Sequence, residues 1–251
     1  MEIQLIKKNQ QARGQFNGGE ILENKPIGFP SEGGHLKPYS NLFYWAHAHS
    51  DNGSTIGLHP HQGFEILSFV LEGSIEHYDS SDEKWKPLQT GAAQIIRAGN
   101  GISHSEKLNP GSHMFQIWFD PNLQKTLEQP ATYNDYSSDT FPVSIDGGVK
   151  TKVYKGEGSP LKMDSPGVEI KVLELELGSQ QINLDETKTH SFYLIEGAVN
   201  IEKNELEIDD FIVVNDAKNL TIEVKKKCKL FMISNPTQLD YTTYANQARR
   251  V

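Results

Sequence analysis

One cysteine in 251 residues, Cys228, excludes an intrachain disulfide. No apolar run approaches the roughly 20 residues that a membrane-crossing helix needs. The opening Met1-Glu2-Ile3-Gln4-Leu5-Ile6-Lys7-Lys8 gives way to a polar stretch instead of the apolar core of a signal peptide, so a reducing cytoplasm and no membrane partner are the expectation. Positive charge is also short: 24 Lys and Arg against 33 Asp and Glu leave a formal charge of −9. That field repels phosphate backbones and argues against direct nucleic-acid binding. The one basic run, Lys225-Lys226-Lys227, interrupts alternating apolar residues (Ile222 and Val224, then Leu230 and Met232) and reads as a solvated strand turn. No Gly-rich phosphate loop precedes a helix, no Gly-x-Ser-x-Gly elbow occurs, and Cys228 has no catalytic neighbourhood in sequence. Cys228 is read as a small apolar residue.

What the chain does have is short stretches of period-two apolar alternation, separated by Gly, Asn, Asp, Pro and Ser clusters, the pattern of β-sandwiches and barrels. With 36% hydrophobic and 23% charged residues it is an ordinary globular composition, and its length suits two modest domains. Glu65-Ile66-Leu67-Ser68-Phe69-Val70-Leu71, the turn Glu72-Gly73 and Ser74-Ile75-Glu76-His77-Tyr78 read as a hairpin. The phrase returns as Ser191-Phe192-Tyr193-Leu194-Ile195-Glu196-Gly197-Ala198-Val199-Asn200-Ile201. A second echo sets Leu88 to Ile96 against Leu206 to Val214. The chain therefore reads as a duplication, with domains at 1–138 and 139–251 and a linker in the polar, Tyr-rich stretch from Asn122 to Ser144, where Thr126 to Glu128 offer only a brief helix. The tail from Leu239 to Val251 is compatible with a short helix or an extended arm.

In Gly57-Leu58-His59-Pro60-His61, two imidazoles stand two residues apart, and in an extended chain such positions share a face. His104-Ser105-Glu106 repeats the geometry with an imidazole and a carboxylate after the turn-rich Arg97-Ala98-Gly99-Asn100-Gly101. Together, His59, His61, His104 and Glu106 form a ligand set suited to iron, manganese, cobalt, nickel or zinc. Glu65 shares the parity of His59 and His61 and is the alternative: a ligand in place of Glu106, or a partner that orients an imidazole through its second nitrogen. Gly63 stands between them and breaks that parity if it bends the chain. His47 and His49 make a further pair, read as the polar face of a strand. His77 reads as a hydrogen-bonded barrel residue, and His35, His113 and His190 stand alone. In the second half Thr189-His190-Ser191 stands where the first has His59-Pro60-His61, and no His-x-Glu follows Phe211 to Val214. The expectation is one metal per chain, in the first domain, and an apolar interior in the second.

The run Gly57-Leu58-His59-Pro60-His61-Gln62-Gly63-Phe64-Glu65, with Leu71-Glu72-Gly73, Glu76-His77-Tyr78-Asp79-Ser80, Ala98-Gly99-Asn100-Gly101-Ile102-Ser103-His104-Ser105-Glu106 and Phe115-Gln116-Ile117-Trp118-Phe119, closely resembles the signature of the pirin family. The resemblance implies an all-β bicupin, two cupin-type β-sandwich domains with the metal in the first, held by His59, His61, His104 and Glu106. It implies iron(II) as the first choice of metal. It also implies an activity like that of quercetin 2,3-dioxygenases, with an aromatic small molecule and dioxygen as reactants, or else a redox-responsive regulator with a protein partner. In the dioxygenase reading Glu106, or Glu65 nearby, accepts the proton of the substrate hydroxyl.

Overall fold

The computed structural model describes residues 1–81 and 83–247. Strands dominate it, and the α-helices among the described residues are two single turns, Leu123–Thr126 and Tyr244–Gln247. No described helix is long and apolar enough to cross a membrane. The chain forms two compact β units. One holds Gln11–Thr140, Lys162–Pro166 and the described tail, 239–247; the other holds Met1–Gln10, Phe141–Leu161 and Gly167–Gln238. A boundary at 138/139 with contiguous domains is corrected at both ends. The unpaired backbone of Glu2–Ile6 finds its ladder against Phe211–Asn215, from Glu2 opposite Asn215 to Ile6 opposite Phe211. The tail packs on the first unit: the Tyr241 hydroxyl donates to the carbonyl of Asp120 (2.8 Å), and the Ala245 amide donates to its carboxylate (3.2 Å).

The first unit is built of two sheets. In order across the larger run Thr132–Tyr136, Ala93–Arg97, Glu65–Glu72, Ser112–Phe119, Leu42–Ser50, Ile21–Ile27 and Ala12–Phe16; the smaller runs Ser54–His61, Ile102–Leu108, Ser74–Asp79 and Lys86–Gln89. Alternation places Ala48, Val70 and Met114 of the first sheet against Ile56, Ile75, Leu88 and Leu108 of the second, a dry core that fixes the two sheets face to face. The same faces carry His104, Glu106, Ser68 and His77, all buried. Polar groups taken from water in this number require partners or a ligand.

Glu72-Gly73 does not join a paired hairpin. Glu65–Glu72 lies in the larger sheet and Ser74–Asp79 in the smaller, so the turn is a corner between sheets. The second unit shows the same device: Lys188–Ile201 is one bent strand that pairs with Phe211–Asn215 before Gly197 and with Asn204–Leu206 after it. The duplication read from sequence is thus a repeated corner. The stretch from Asn122 to Ser144 is likewise no plain linker, because Thr132–Tyr136 completes the larger sheet against Ala93–Arg97. Lys225-Lys226-Lys227 is not a turn either. It lies inside the continuous strand Asn219–Pro236, exposed, with Lys225 and Lys227 paired to Glu205 and Glu176 (2.7 and 2.6 Å).

The interior of the second unit is filled by Leu173, Phe192, Leu194, Ile212, Leu220, Leu230 and their neighbours. His190 is spent there on the fold: its ring nitrogens meet the Ser234 hydroxyl (2.8 Å) and the Asp185 carbonyl (2.9 Å). Cys228 is buried, and burial pushes its thiol up to about 11, the state of a packing residue.

Candidate metal centre

Ser54–His61 and Ile102–Leu108 run antiparallel as neighbours, with His104 directly opposite His59 and Ile102 opposite His61. Paired positions and positions two apart share a face, so the register brings His59, His61 and His104 together. Their ring centroids lie 4.4 to 4.7 Å apart, and one donor nitrogen from each falls within 4.8 Å of the others.

The rings are prepared as ligands. His59 Nδ1 is 2.8 Å from the carbonyl oxygen of Gly57, which accepts its proton and leaves Nε2 with a lone pair. Nε2 of His61 and both nitrogens of His104 are buried without a hydrogen-bond partner. Burial lowers the imidazole of His61 to about 3 and that of His104 to about 2, with the neighbouring rings adding to the effect, so both are neutral at physiological pH. Buried lone pairs without donors are costly; a cation among the three rings satisfies them. The donor set therefore fits a divalent transition metal.

Glu106 lies on the same strand, but its carboxylate is not within the three-ring group. A bulge between His104 and Glu106 carries the pairing from His59 to Ile56. The carboxylate reaches across the interior, where the Ser68 hydroxyl donates to Oε1 (2.8 Å) and the Gln116 amide to Oε2. Gln116 is oriented in turn, its Oε1 accepting from the indole nitrogen of Trp118 (3.3 Å). Trp118 packs edge-on against His61 at 4.8 Å. Spacing assigned Ser68, Gln116 and Trp118 no part in the site, although Gln116 and Trp118 stand in the Phe115–Phe119 run that carries the family resemblance, because their role depends on which strands of the opposite sheet face Ile102–Leu108.

Glu65 is corrected. Gly63, with φ of 78°, turns the chain between the two sheets, so the parity shared by His61 and Glu65 does not survive the corner. Ser68 faces Glu106, and Glu65, three residues earlier, falls on the other side of its strand. There its buried carboxylate accepts the backbone amides of Asp164 and Ser165 (2.6 and 2.8 Å). Burial raises its pKa against the pull of these bonds. The partner that orients an imidazole is the Gly57 carbonyl, and Glu65 fastens the Lys162–Pro166 segment. Glu65→Gln will leave metal content unchanged in elemental analysis and lower unfolding free energy by ~1–3 kcal/mol in denaturant titration, since an amide cannot accept at both positions.

His77 is fully buried in the strand beside Ile102–Leu108, opposite Glu106, with Nε2 3.3 Å from Asp79 and its ring 5.6 Å from that of His104. His47 and His49 do share one strand face, and the structure adds His113 to them from the next strand. His47 Nε2 lies 3.2 Å from His113 Nδ1, and the rings of His49 and His113 stack at 5.2 Å. A cleft of about 500 Å³ opens beside His61, lined by Pro60, Gln62, Ser80, Ile102 and Ser103.

Residues 27–119 match the Pirin family model, a span that holds all four proposed ligands. The chain is 28% identical over 197 residues to a quercetin 2,3-dioxygenase of Escherichia coli O157:H7, covering 73% of this chain and 78% of that protein. It is 34% identical over 149 residues to Pirin-1 of Arabidopsis thaliana, covering 55% of this chain and 50% of that one. The fold is shared with the bacterial pirin YhhW from Escherichia coli, solved in complex with nickel(II), at a TM-score of 0.76 and 23% identity over 94% of this chain and all of the other. Residues 27–119 thus resemble the Pirin domain, and the chain shares its all-β fold with the bacterial pirin.

Proposed function

We propose that this protein is a metal-dependent dioxygenase acting on flavonols of the quercetin type or related enolisable phenols. One observation carries the reading: three imidazoles with donor nitrogens within 4.8 Å of one another, beside an open cleft and on strands that also carry the buried carboxylate of Glu106. The similarity to proteins named quercetin 2,3-dioxygenase supports the substrate class. His59, His61 and His104 hold the metal, with Glu106 as fourth ligand; iron(II) is the first choice, and manganese, cobalt, nickel and zinc suit the same donors. A divalent cation there supplies Lewis acidity toward a substrate hydroxyl.

The chain's own residues do the rest. The cleft admits a planar molecule beside His61, and Ser68 and Gln116 hold Glu106 on the interior side of the imidazoles. Glu106 accepts the hydroxyl proton at one of its oxygens. Trp118 packs edge-on against His61 and joins Ile66, Ile96 and Ile102 in an apolar cluster beside it.

Metal-loaded protein will consume dioxygen with quercetin and not with a flavone lacking the 3-hydroxyl, read with an oxygen electrode. His59→Ala will abolish uptake, and His47→Ala will leave the rate near wild type, since that ring belongs to another cluster. Metal-replete protein that takes up no oxygen with any flavonol, yet changes its binding to a protein partner when the metal is oxidised, will replace this reading with that of a redox-responsive regulator.

A further inference from the structure

A metal ion among the three rings takes one nitrogen of His104 and leaves the other. Both nitrogens are buried without a hydrogen-bond partner, and each ring offers a single donor atom to the group. The nitrogen that binds metal is deprotonated, so the remaining one carries the ring proton. A buried N–H without an acceptor is costly, and metal-bound histidines almost always donate it to a neighbouring group. His59 has the Gly57 carbonyl for this purpose, at 2.8 Å. His104 has no such bond to any described residue.

His77 supplies the complement. Asp79 stands directly opposite His104 in the ladder, and His77 lies two residues before it, so the three side chains share one face of the smaller sheet. All three are fully buried. Asp79 Oδ1 accepts the amide (2.8 Å) and the hydroxyl of Ser81, while Oδ2 stands 3.3 Å from His77 Nε2. A carboxylate accepts, which puts the ring proton of His77 on Nε2 and leaves a lone pair on Nδ1. That Nδ1 is likewise buried without a partner. The rings of His77 and His104 are 5.6 Å apart. His47 and His113, 5.3 Å apart by the same measure, bring two nitrogens to 3.2 Å. Imidazoles at such a spacing need only a small rotation to form a hydrogen bond.

We infer that His77 is a positioning residue of the metal centre: its Nδ1 accepts the second N–H of His104, and Asp79 behind it fixes the tautomer. The donor and acceptor counts then close. One His104 nitrogen goes to the metal, and the other pairs with the bare nitrogen of His77. The inference rests on His59, His61 and His104 as ligands, and it holds whatever substrate the centre takes.

The test measures nickel(II) affinity of the full chain by competition with a chromophoric chelator, beside the melting temperature of each metal-free variant. Asparagine places a side-chain oxygen where histidine has Nδ1, and glutamine reaches the position of Nε2. His77→Asn thus keeps an acceptor for His104 and gives up the bond to Asp79, whereas His77→Gln does the reverse. His77→Gln will bind nickel(II) ~10–100-fold more weakly than wild type, and His77→Asn will recover most of that loss. A purely structural His77 predicts the opposite order, because glutamine preserves the bond to Asp79. That order, or equal affinities in the two variants, overturns the inference. Nitrogen NMR of the histidine rings in zinc(II)-loaded wild type needs no variant and will place the His77 proton on Nε2. A proton on Nδ1 overturns the inference while leaving the three ligands in place. Wild-type protein that binds no nickel(II) overturns the ligand assignment and the role of His77 with it.

Discussion

His104→Ala will bind no metal under conditions in which the wild-type chain holds one equivalent, and it will lose the thermal stabilisation that metal confers. In the proposed site His104 stands beside both other rings. It sits directly opposite His59 in the ladder, its ring is 4.4 Å from that of His59 and 4.7 Å from that of His61, and it is fully buried. Loss of a residue that merely orients a ligand costs ~10–100-fold in metal affinity, and loss of a ligand itself costs more. The metal-free states separate this from unfolding. Wild-type apoprotein carries unpartnered buried nitrogens on His61 and His104, each a penalty of ~1–3 kcal/mol. Removing the His104 ring deletes two of those atoms, so the metal-free variant will melt close to metal-free wild type. Adding metal at 1,000 times its dissociation constant stabilises a binding protein by about 4 kcal/mol, which will raise the wild-type melting temperature and leave that of His104→Ala in place. His47→Ala serves as control and will respond to metal as wild type does. Two metal equivalents in wild type, or one retained by His104→Ala, will overturn the assignment.

The part of this site that could be read in the sequence is the part that follows from periodicity within one strand. His59 and His61 share a face because extended chain alternates every two residues, and that holds across Pro60. Three relations could not be read this way. The parity of His61 and Glu65 is broken by the corner at Gly63, which sends the two residues to different sheets. The pairing of His104 with Glu106 is offset by a bulge, which leaves Glu106 hydrogen-bonded to Ser68 and Gln116 and outside the three-ring group. His113 joins His47 and His49 only through the ladder between Ser112–Phe119 and Leu42–Ser50. Each is a matter of register between strands, which depends on the packing of both sheets at once.

The same limit explains the misread hairpin, and it leads to a stability prediction. Glu72-Gly73 and Glu196-Gly197 look like turns between paired strands because Gly after a polar residue marks turns. Both are corners at which a strand leaves one set of partners for another. Gly73 has φ of 69° and Gly197 has φ of 93°. A Cβ on Gly197 would stand 2.7 Å from the Cα and Cβ of Cys228 and closer still to the carbonyl of Lys227. No rotamer relieves that contact, since the atoms met are mostly backbone of the strand it crosses. Gly197→Ala therefore adds left-handed strain of ~1–3 kcal/mol to a collision of similar size, and will destabilise the chain by about 3 kcal/mol or more. In thermal denaturation this corresponds to a drop of roughly 10 °C for the unit concerned. Gly178 separates the two contributions: its φ is 112°, but a Cβ there meets nothing within 4 Å, so Gly178→Ala carries the strain without the collision and will cost less than half as much. Equal losses at the two positions would show that strain alone requires glycine at the corner, and that the close approach to the Lys227–Cys228 backbone has no part in it.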